Sequence, residues 1–121
     1  MNRLLSISGL MLCLAGCGAS DASVYSCDER TAATMPQQYC QEYAGLSSQA
    51  LVDPYKAACP GTWGASACSH TGSLGGCRAA PVAGITITNW FYPDSAQGLN
   101  TSADVMTRCA QGSNPGTFVA P

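Results

Sequence analysis

The chain has 121 residues, with five Lys and Arg, seven Asp and Glu, and a formal charge of −2. This length favours a single domain, and so few cations exclude a basic nucleic-acid-binding protein. Eight cysteines are too many for an ordinary cytosolic protein of this size, so the composition indicates export to an oxidising compartment.

Residues 1–16 have the pattern of a signal peptide that is removed after export. Arg3 gives a positive start, and the stretch from Leu4 to Leu14 is almost wholly apolar. At the rise of a helix this stretch covers about 17 Å, roughly half of the hydrocarbon core of a bilayer. We therefore predict a cleaved signal peptide and not a membrane-spanning helix.

The segment ends in Leu14-Ala15-Gly16-Cys17. This sequence resembles the lipobox of bacterial lipoproteins, in which an aliphatic residue, a small residue and Gly or Ala precede the cysteine. The resemblance implies diacylglyceryl transfer to the Cys17 sulfur, cleavage after Gly16 and acylation of the new amino terminus, with palmitate as a typical acyl chain. Two or three acyl chains give stable anchoring, whereas one chain is marginal.

The residue after the modified cysteine biases the sorting of such lipoproteins. Gly18 is not an aspartate, so the resemblance favours the outer membrane over the inner membrane. An ordinary secretory signal, cleaved near Ala19 or Ala22, is the alternative. We predict a flexible tether over residues 17–26, because they are mainly Gly, Ala, Ser and Asp, and one domain over residues 27–121.

Six further cysteines lie in this domain, where large aliphatic residues are scarce. An even number of cysteines in an exported domain with a thin core predicts three disulfides, although six cysteines can pair in more than a dozen ways. A structural zinc site is disfavoured because no Cys-x-x-Cys motif occurs and the chain has one histidine. We expect no metal and no cofactor. The predicted disulfide cysteines are Cys27, Cys40, Cys59, Cys68, Cys77 and Cys109.

In the first half of the domain the sequence predicts two helices and a β-like region. One helix covers residues 36–44, with a proline in its first turn and glycine after its end. The next begins with Asp53 as cap and Pro54 as its first residue, because proline inside a helix costs about 3 kcal/mol. Residues 61–80 are β-like, and a turn near His70 would place Cys68 and Cys77 on the same side of a hairpin.

The second half contains the clearest strand and the clearest helix. Residues 84–92 are β-branched and aromatic, with Ile87 and Phe91 on one face and Trp90 on the other. A capping box formed by Thr101 and Asp104 begins a helix over residues 101–109, and residues 116–119 form a short final strand.

A short pattern occurs twice: an aromatic residue, a helix, a cysteine and then Gly-Thr-aromatic. The copies are Tyr43, Cys59 and Gly61-Thr62-Trp63, and Tyr92, Cys109 and Gly116-Thr117-Phe118. Two matches of so short a pattern can arise by chance. A true repeat predicts a duplicated helix–strand unit around one antiparallel sheet.

The candidate binding residues are the aromatic side chains Trp63, Trp90 and Tyr92. On one exposed side of the sheet they would stack against a glycan, a peptide or a protein ligand; the alternative is that they supply the core. Burial of Trp90 and Tyr92 would count against a binding face. His70 is the only histidine, and neither a carboxylate nor a nucleophile lies next to it in the sequence.

These observations predict an α+β domain with a short antiparallel sheet of three or four strands, two or three helices and three disulfides. We expect a lipid-anchored protein of the bacterial cell envelope, attached to the membrane through Cys17 and acting as a non-catalytic binding or interaction module. A structural or protective envelope component without a specific ligand is an alternative. A small hydrolase is a further alternative, although no catalytic constellation is apparent.

Overall fold

The computed structural model describes residues 23–113 and 115–121. The predicted signal peptide over residues 1–16 and the lipidation site Cys17 lie outside these residues. The described chain forms an α+β domain with one six-stranded antiparallel sheet and two helices. The elements are β1 (Val24–Asp28), β2 (Tyr39–Ala44), α1 (Gln49–Ala58), β3 (Thr62–Gly64), β4 (Gly75–Arg78), β5 (Thr86–Phe91), α2 (Ser102–Ala110) and β6 (Thr117–Val119).

The strands are ordered β3-β1-β2-β5-β4-β6. The sheet has more strands than the three or four predicted, because β1 and β2 lie in segments that the sequence assigned to a tether and a helix. Each edge strand is only three residues long, and short edges limit pairing with other chains. Strand β1 starts at Val24, so the last residues of the segment predicted as a tether belong to the sheet.

The first predicted helix, over residues 36–44, is wrong. Tyr39–Ala44 is the strand β2, which pairs with β1 on one side and β5 on the other. Both faces of β2 are covered, with Cys40 and Tyr43 buried on opposite faces. Long-range pairing therefore overrides the local helical signal.

The predicted start of the second helix is also wrong, since α1 begins at Gln49 and contains Pro54. The helix turns Val52 and Tyr55 towards the sheet, whereas Pro54 is exposed. The carbonyl of Ala50, which loses its helical donor to Pro54, is on an exposed residue. Solvation there makes an internal proline tolerable.

Both helices cover the same face of the sheet, which we call the helix face. One buried cluster joins Val52 of α1 to Tyr43, and another joins Val105 of α2 to Phe91. Ile87 packs with the first cluster and Trp90 lies on the opposite face, so the predicted alternation along β5 is confirmed. The opposite face is covered by the segment 65–73, and we call it the loop face.

Helix α2 and strand β6 confirm two local predictions. The Thr101 backbone N–H donates to Asp104 Oδ2 at 2.7 Å, and the Asp104 N–H donates to Thr101 Oγ1 at 3.3 Å, which completes the capping box. Neither helix of the described residues combines the length and apolar character needed to cross a membrane.

All six cysteines of the domain form disulfides. Cys27–Cys59 and Cys77–Cys109 each join a strand to the carboxyl-terminal end of a helix, and Cys40–Cys68 joins β2 to the segment on the loop face. The predicted hairpin with Cys68 and Cys77 on the same side is wrong, because β3 pairs with β1 and β4 pairs with β5 and β6.

The fold is an internal duplication, but the repeated unit is strand–strand–helix–strand, larger than the predicted helix–strand unit, and the counterpart of Tyr43 is Phe91 and not Tyr92. The unit β1-β2-α1-β3 has the same order and the same helix-to-strand disulfide as the unit β4-β5-α2-β6, and both disulfides span 32 residues. Trp63 pairs with Cys27 as Phe118 pairs with Cys77. The mirrored strand order places an approximate twofold axis at the central β2–β5 pair, where Gln41 lies opposite Asn89.

The start of each helix shows the same duplication. Residues 46–52 and 99–105 share a leucine, a Ser or Thr at the cap, an alanine and a valine at matching positions. The two leucines, Leu46 and Leu99, are buried at 1% and 2% exposure. A buried leucine therefore fixes the entry to each helix, and a disulfide fixes its exit.

We expect removal of either helix disulfide to have a similar effect on stability. Because both close loops of 32 residues, Cys27→Ala/Cys59→Ala and Cys77→Ala/Cys109→Ala should each lower the free energy of unfolding by about 3–4 kcal/mol. Urea denaturation followed by circular dichroism measures this. Losses below about 1 kcal/mol would show that the disulfides do not hold the helices.

A second stability prediction concerns Gly45, which has φ +95° and lies against the backbone of Gly84. A Cβ on Gly45 would collide with the Gly84 carbonyl oxygen, whereas a Cβ on Gly84 meets open space. Gly84→Ala should therefore cost only backbone strain, about 1–2 kcal/mol, and Gly45→Ala clearly more. Equal losses in thermal or urea unfolding would contradict the close contact.

Candidate functional site

The structure separates the three predicted binding residues. Trp63 lies on the helix face, where its ring is stacked 5.7 Å from Tyr25 and lies 5.5 Å from Tyr43. Trp90 and Tyr92 lie in the buried cluster of the loop face. The prediction that all three share one side of the sheet is therefore wrong, because Trp63 is paired opposite the inward-facing Cys27.

Trp90 is buried, with 3% of its surface exposed. Its indole packs over Gly76, the residue directly opposite it on β4, where a Cβ would come within 3.2 Å of the ring. The His70 ring covers it from the solvent side, with ring centroids 3.8 Å apart. The Cys40–Cys68 disulfide belongs to the same cluster and holds the covering segment in place.

Tyr92 is 4% exposed and is covered by a cation. The Arg30 guanidinium carbon lies 3.6 Å from the centre of its ring, and the Tyr92 hydroxyl donates to the carbonyl of Ser69. Arg30 is itself held by Asp28, with Nε and Nη2 donating to the two carboxylate oxygens at 2.8 and 2.7 Å. This bidentate pair holds the Arg30 guanidinium over the ring of Tyr92.

The Asp28–Arg30 pair shifts the pKa of both side chains. The hydrogen bonds from the Arg30 side chain hold the pKa of the Asp28 carboxyl below its usual range, and the same bonds raise the pKa of Arg30. Burial raises the pKa of Tyr92. The pair therefore stays ionised and closed over the ring at neutral pH.

His70 has a carboxylate neighbour that its sequence position did not reveal. Glu42 Oε2 lies 3.7 Å from His70 Nε2 and accepts a hydrogen bond from the Cys68 backbone N–H at 3.1 Å. The His70 side chain is 46% exposed, while that of Glu42 is 18% exposed. This His–Glu pair lies above Trp90, so a ligand would have to displace His70 to reach the indole.

The aromatic rings of the loop face are thus already covered by side chains of the same chain. Arg30 and His70 already provide the stacking partners that a sugar or peptide would supply. The burial of Trp90 and Tyr92 counts against the predicted aromatic binding face, and these residues instead supply the core that the scarce aliphatic residues do not.

The exposed apolar surface lies elsewhere, at the connection between β4 and β5. We call residues 79–85 (Ala-Ala-Pro-Val-Ala-Gly-Ile) the hairpin tip. Val82 and Ile85 exchange two backbone hydrogen bonds of 2.9 Å around a two-residue turn. Ala83 and Gly84 both have positive φ, +51° and +78°, which is the geometry of a type I′ hairpin.

Of the hairpin tip, Ile85 packs against the buried cluster of the helix face, and the residues before it are open to solvent. Val82 is 74% exposed, and the residues from Ala79 to Gly84 are all exposed. No charged residue occurs between Arg78 and Asp94. Sequence reasoning missed this site because it treated the segment as the end of a β-like region, although the run of apolar residues beside a turn glycine was the available signal.

Shallow grooves flank the hairpin tip. One, of about 210 Å³, lies between the tip and the ring of Tyr55 on α1, and another, of about 310 Å³, is bordered by Pro115. The first is smaller than typical ligand pockets of roughly 300–1,000 Å³, and the second is at the lower end of that range. The tip is therefore better suited to contact a surface than to enclose a small molecule.

A polar cleft lies beside α2. Asn89, Arg108 and Gln111 line a depression of about 200 Å³ next to the Cys77–Cys109 disulfide. Asn89 Oδ1 accepts a hydrogen bond of 2.9 Å from Gln41 Nε2 on the approximate twofold axis. Residues 23–113 and 115–121 contain no group of three or more His, Cys, Asp or Glu that could hold a metal ion.

In the comparisons with known proteins, no family model, curated protein or solved structure matches this chain.

We expect the Asp28–Arg30 pair to make the fold sensitive to acid. The folded pKa of Asp28 lies below its ordinary value of 3.8, so the pair stabilises the fold above that pH and is lost as the pH falls through the folded pKa. Asp28→Asn and Arg30→Gln should each lower stability at neutral pH, with a deficit that shrinks as the pH falls through 3.8 and below it. Urea unfolding at several pH values measures this, and a pH-independent deficit would contradict it.

Proposed function

We propose that this protein is a lipid-anchored component of the bacterial cell envelope that acts as a non-catalytic interaction module. The proposal of anchoring rests on the complete lipobox pattern Leu14-Ala15-Gly16-Cys17 after an apolar segment. Gly18 favours delivery to the outer membrane. Three disulfides suit an exported domain, since such bonds persist in oxidising compartments.

The observation that carries the interaction role is the hairpin tip. Val82 is 74% exposed and lies in a run of six exposed residues, 79–84, none of which is charged. A glycan, peptide or protein ligand of the loop face is disfavoured by the burial of Trp90 and Tyr92. Apolar residues exposed together at one end of a domain are typical of a surface that meets a partner.

The anchoring proposal is tested by the intact mass of the protein isolated from bacterial membranes. We expect a chain that starts at Cys17, carries lipid mass and gains six alkyl groups only after reduction. The matched control is Cys17→Ser, which should carry no lipid and should leave the membrane fraction. A wild-type chain without lipid, or one that begins near Ala19 or Ala22, would contradict the proposal.

A small hydrolase is the second candidate, and one observation favours it. His70 and Glu42 form the imidazole–carboxylate pair that a general base uses, with Nε2 and Oε2 3.7 Å apart. We nevertheless expect equal hydrolysis of p-nitrophenyl acetate by the wild-type chain and by His70→Gln. A wild-type rate about a hundredfold above that of His70→Gln would establish the hydrolase instead.

A structural or protective component is the third candidate, favoured if changes at the hairpin tip have no effect on any association.

A further inference from the structure

We propose that the hairpin tip contacts the lipid bilayer beside the anchor, so that the domain rests on the membrane through this end. The inference rests on the proposed lipidation of Cys17. It names the occupant of the exposed apolar surface, which is the bilayer itself and not a second protein.

The first argument is the position at which the chain enters the fold. Val24 pairs with Ala44, and Ala44 pairs with Thr86, the first residue of β5. The hairpin tip immediately precedes Thr86 on the same end of the sheet. Two strand spacings, about 10 Å, separate Val24 from Thr86, so the entry of the chain and the tip are neighbours.

The second argument is reach. Seven residues separate Cys17 from Val24 in the sequence, and seven residues span at most about 25 Å when fully extended. From Thr86 to the turn at Ala83 the hairpin continues for about 10 Å. When the hairpin points towards the bilayer, an anchored Cys17 therefore keeps the tip within about 15 Å of it even with the tether fully extended, and any shorter tether allows contact.

The third argument is the chemistry of the two ends of the sheet. Exposed Arg78 immediately precedes the tip, and a cation there is attracted to anionic lipid headgroups. At the opposite end of the sheet Asp28 is paired with Arg30, and the carboxylates of Glu29 and Asp94 follow strand ends there and give that end a net negative charge. The end with apolar side chains and a cation therefore faces the membrane, and the acidic end points away.

The fourth argument is that the tip is fixed in place. The Gly84 backbone packs against Gly45, and Val82 and Ile85 close the turn with two hydrogen bonds. The apolar residues are thus presented by a rigid hairpin. Contact with the membrane–water interface therefore buries these side chains without the entropy cost of ordering a loop. Apolar side chains of interfacial helices enter the headgroup region in the same way.

The duplication supplies a matched control. The connection between β1 and β2 is the counterpart of the hairpin tip in the first half, and it projects from the opposite end of the sheet. It carries an exposed apolar residue, Met35, which is 83% exposed, against 74% for Val82. Met35 and Val82 are therefore equivalent in exposure and chemistry but face opposite ways.

The test places a tryptophan at each position in the full chain, processed and purified from bacterial membranes. Val82→Trp and Met35→Trp are reconstituted in vesicles of phosphatidylethanolamine and phosphatidylglycerol, with and without brominated phosphatidylcholine. The emission of the wild-type chain, which contains Trp63 and Trp90, is subtracted. We expect the emission added by Val82→Trp to shift to the blue and to be largely quenched by bromine, and that added by Met35→Trp to show neither effect.

The outcomes separate this inference from the proposed function. Lipidated protein that floats with the vesicles while Val82→Trp stays unquenched overturns the bilayer contact and leaves the anchor intact. A chain without lipid whose Val82→Trp emission is still quenched supports the contact and overturns the anchor. A chain without lipid and without quenching overturns both. A blue shift that needs no vesicles assigns the tip to a second copy of this chain and also overturns the contact.

Discussion

A disulfide at the carboxyl-terminal end of each helix is the constraint on which this domain depends. Helix α1 buries one aliphatic side chain, Val52, and α2 buries Val105 and Cys109. Full burial of one valine contributes about 1.5–3 kcal/mol, whereas a disulfide that closes a loop of 32 residues contributes about 3–4 kcal/mol. The covalent bond therefore exceeds the aliphatic burial of α1, and a chain poor in large aliphatic residues can still hold two helices on its sheet.

The duplication explains how one short unit produces two different surfaces. In each half a buried leucine precedes the helix and a disulfide holds its carboxyl-terminal end. The central strands of the two halves pair where Gln41 lies opposite Asn89. The third disulfide, Cys40–Cys68, has no counterpart in the second half and closes the loop face over Trp90. That face is closed and the helices cover the other, and the two most exposed large apolar side chains of the described residues, Met35 and Val82, lie at the ends of the sheet. The connection between β1 and β2 carries Met35 at one end of the sheet, and the connection between β4 and β5 forms the hairpin tip at the other end. These unequal connections give the two ends different chemistry.

The sequence predicted features that depend on near neighbours and missed those that depend on distant ones. The capping box of Thr101 and Asp104 and the alternation along β5 involve residues a few positions apart, and both are confirmed. The repeat was also visible, because its cysteines and Gly-Thr-aromatic strands recur in order. Strand β2 was predicted as a helix because its partner strand β5 is distant in the sequence: Gln41 and Asn89, which are hydrogen-bonded, are 48 residues apart. Likewise, no local signal placed Trp63 on the helix face or brought Glu42 to His70, since both depend on which strands are neighbours.

Disulfide mapping of the unreduced protein tests the central claim most directly. Trypsin alone leaves Cys59, Cys68 and Cys77 on one peptide, because no Lys or Arg lies between Lys56 and Arg78. Chymotrypsin in addition cleaves after Trp63 and Leu74 and separates the three. The account predicts three linked peptide pairs, Cys27 with Cys59, Cys40 with Cys68, and Cys77 with Cys109. A peptide that joins Cys68 to Cys77, or any link between the two helix ends, would contradict the duplicated fold and the surfaces derived from it.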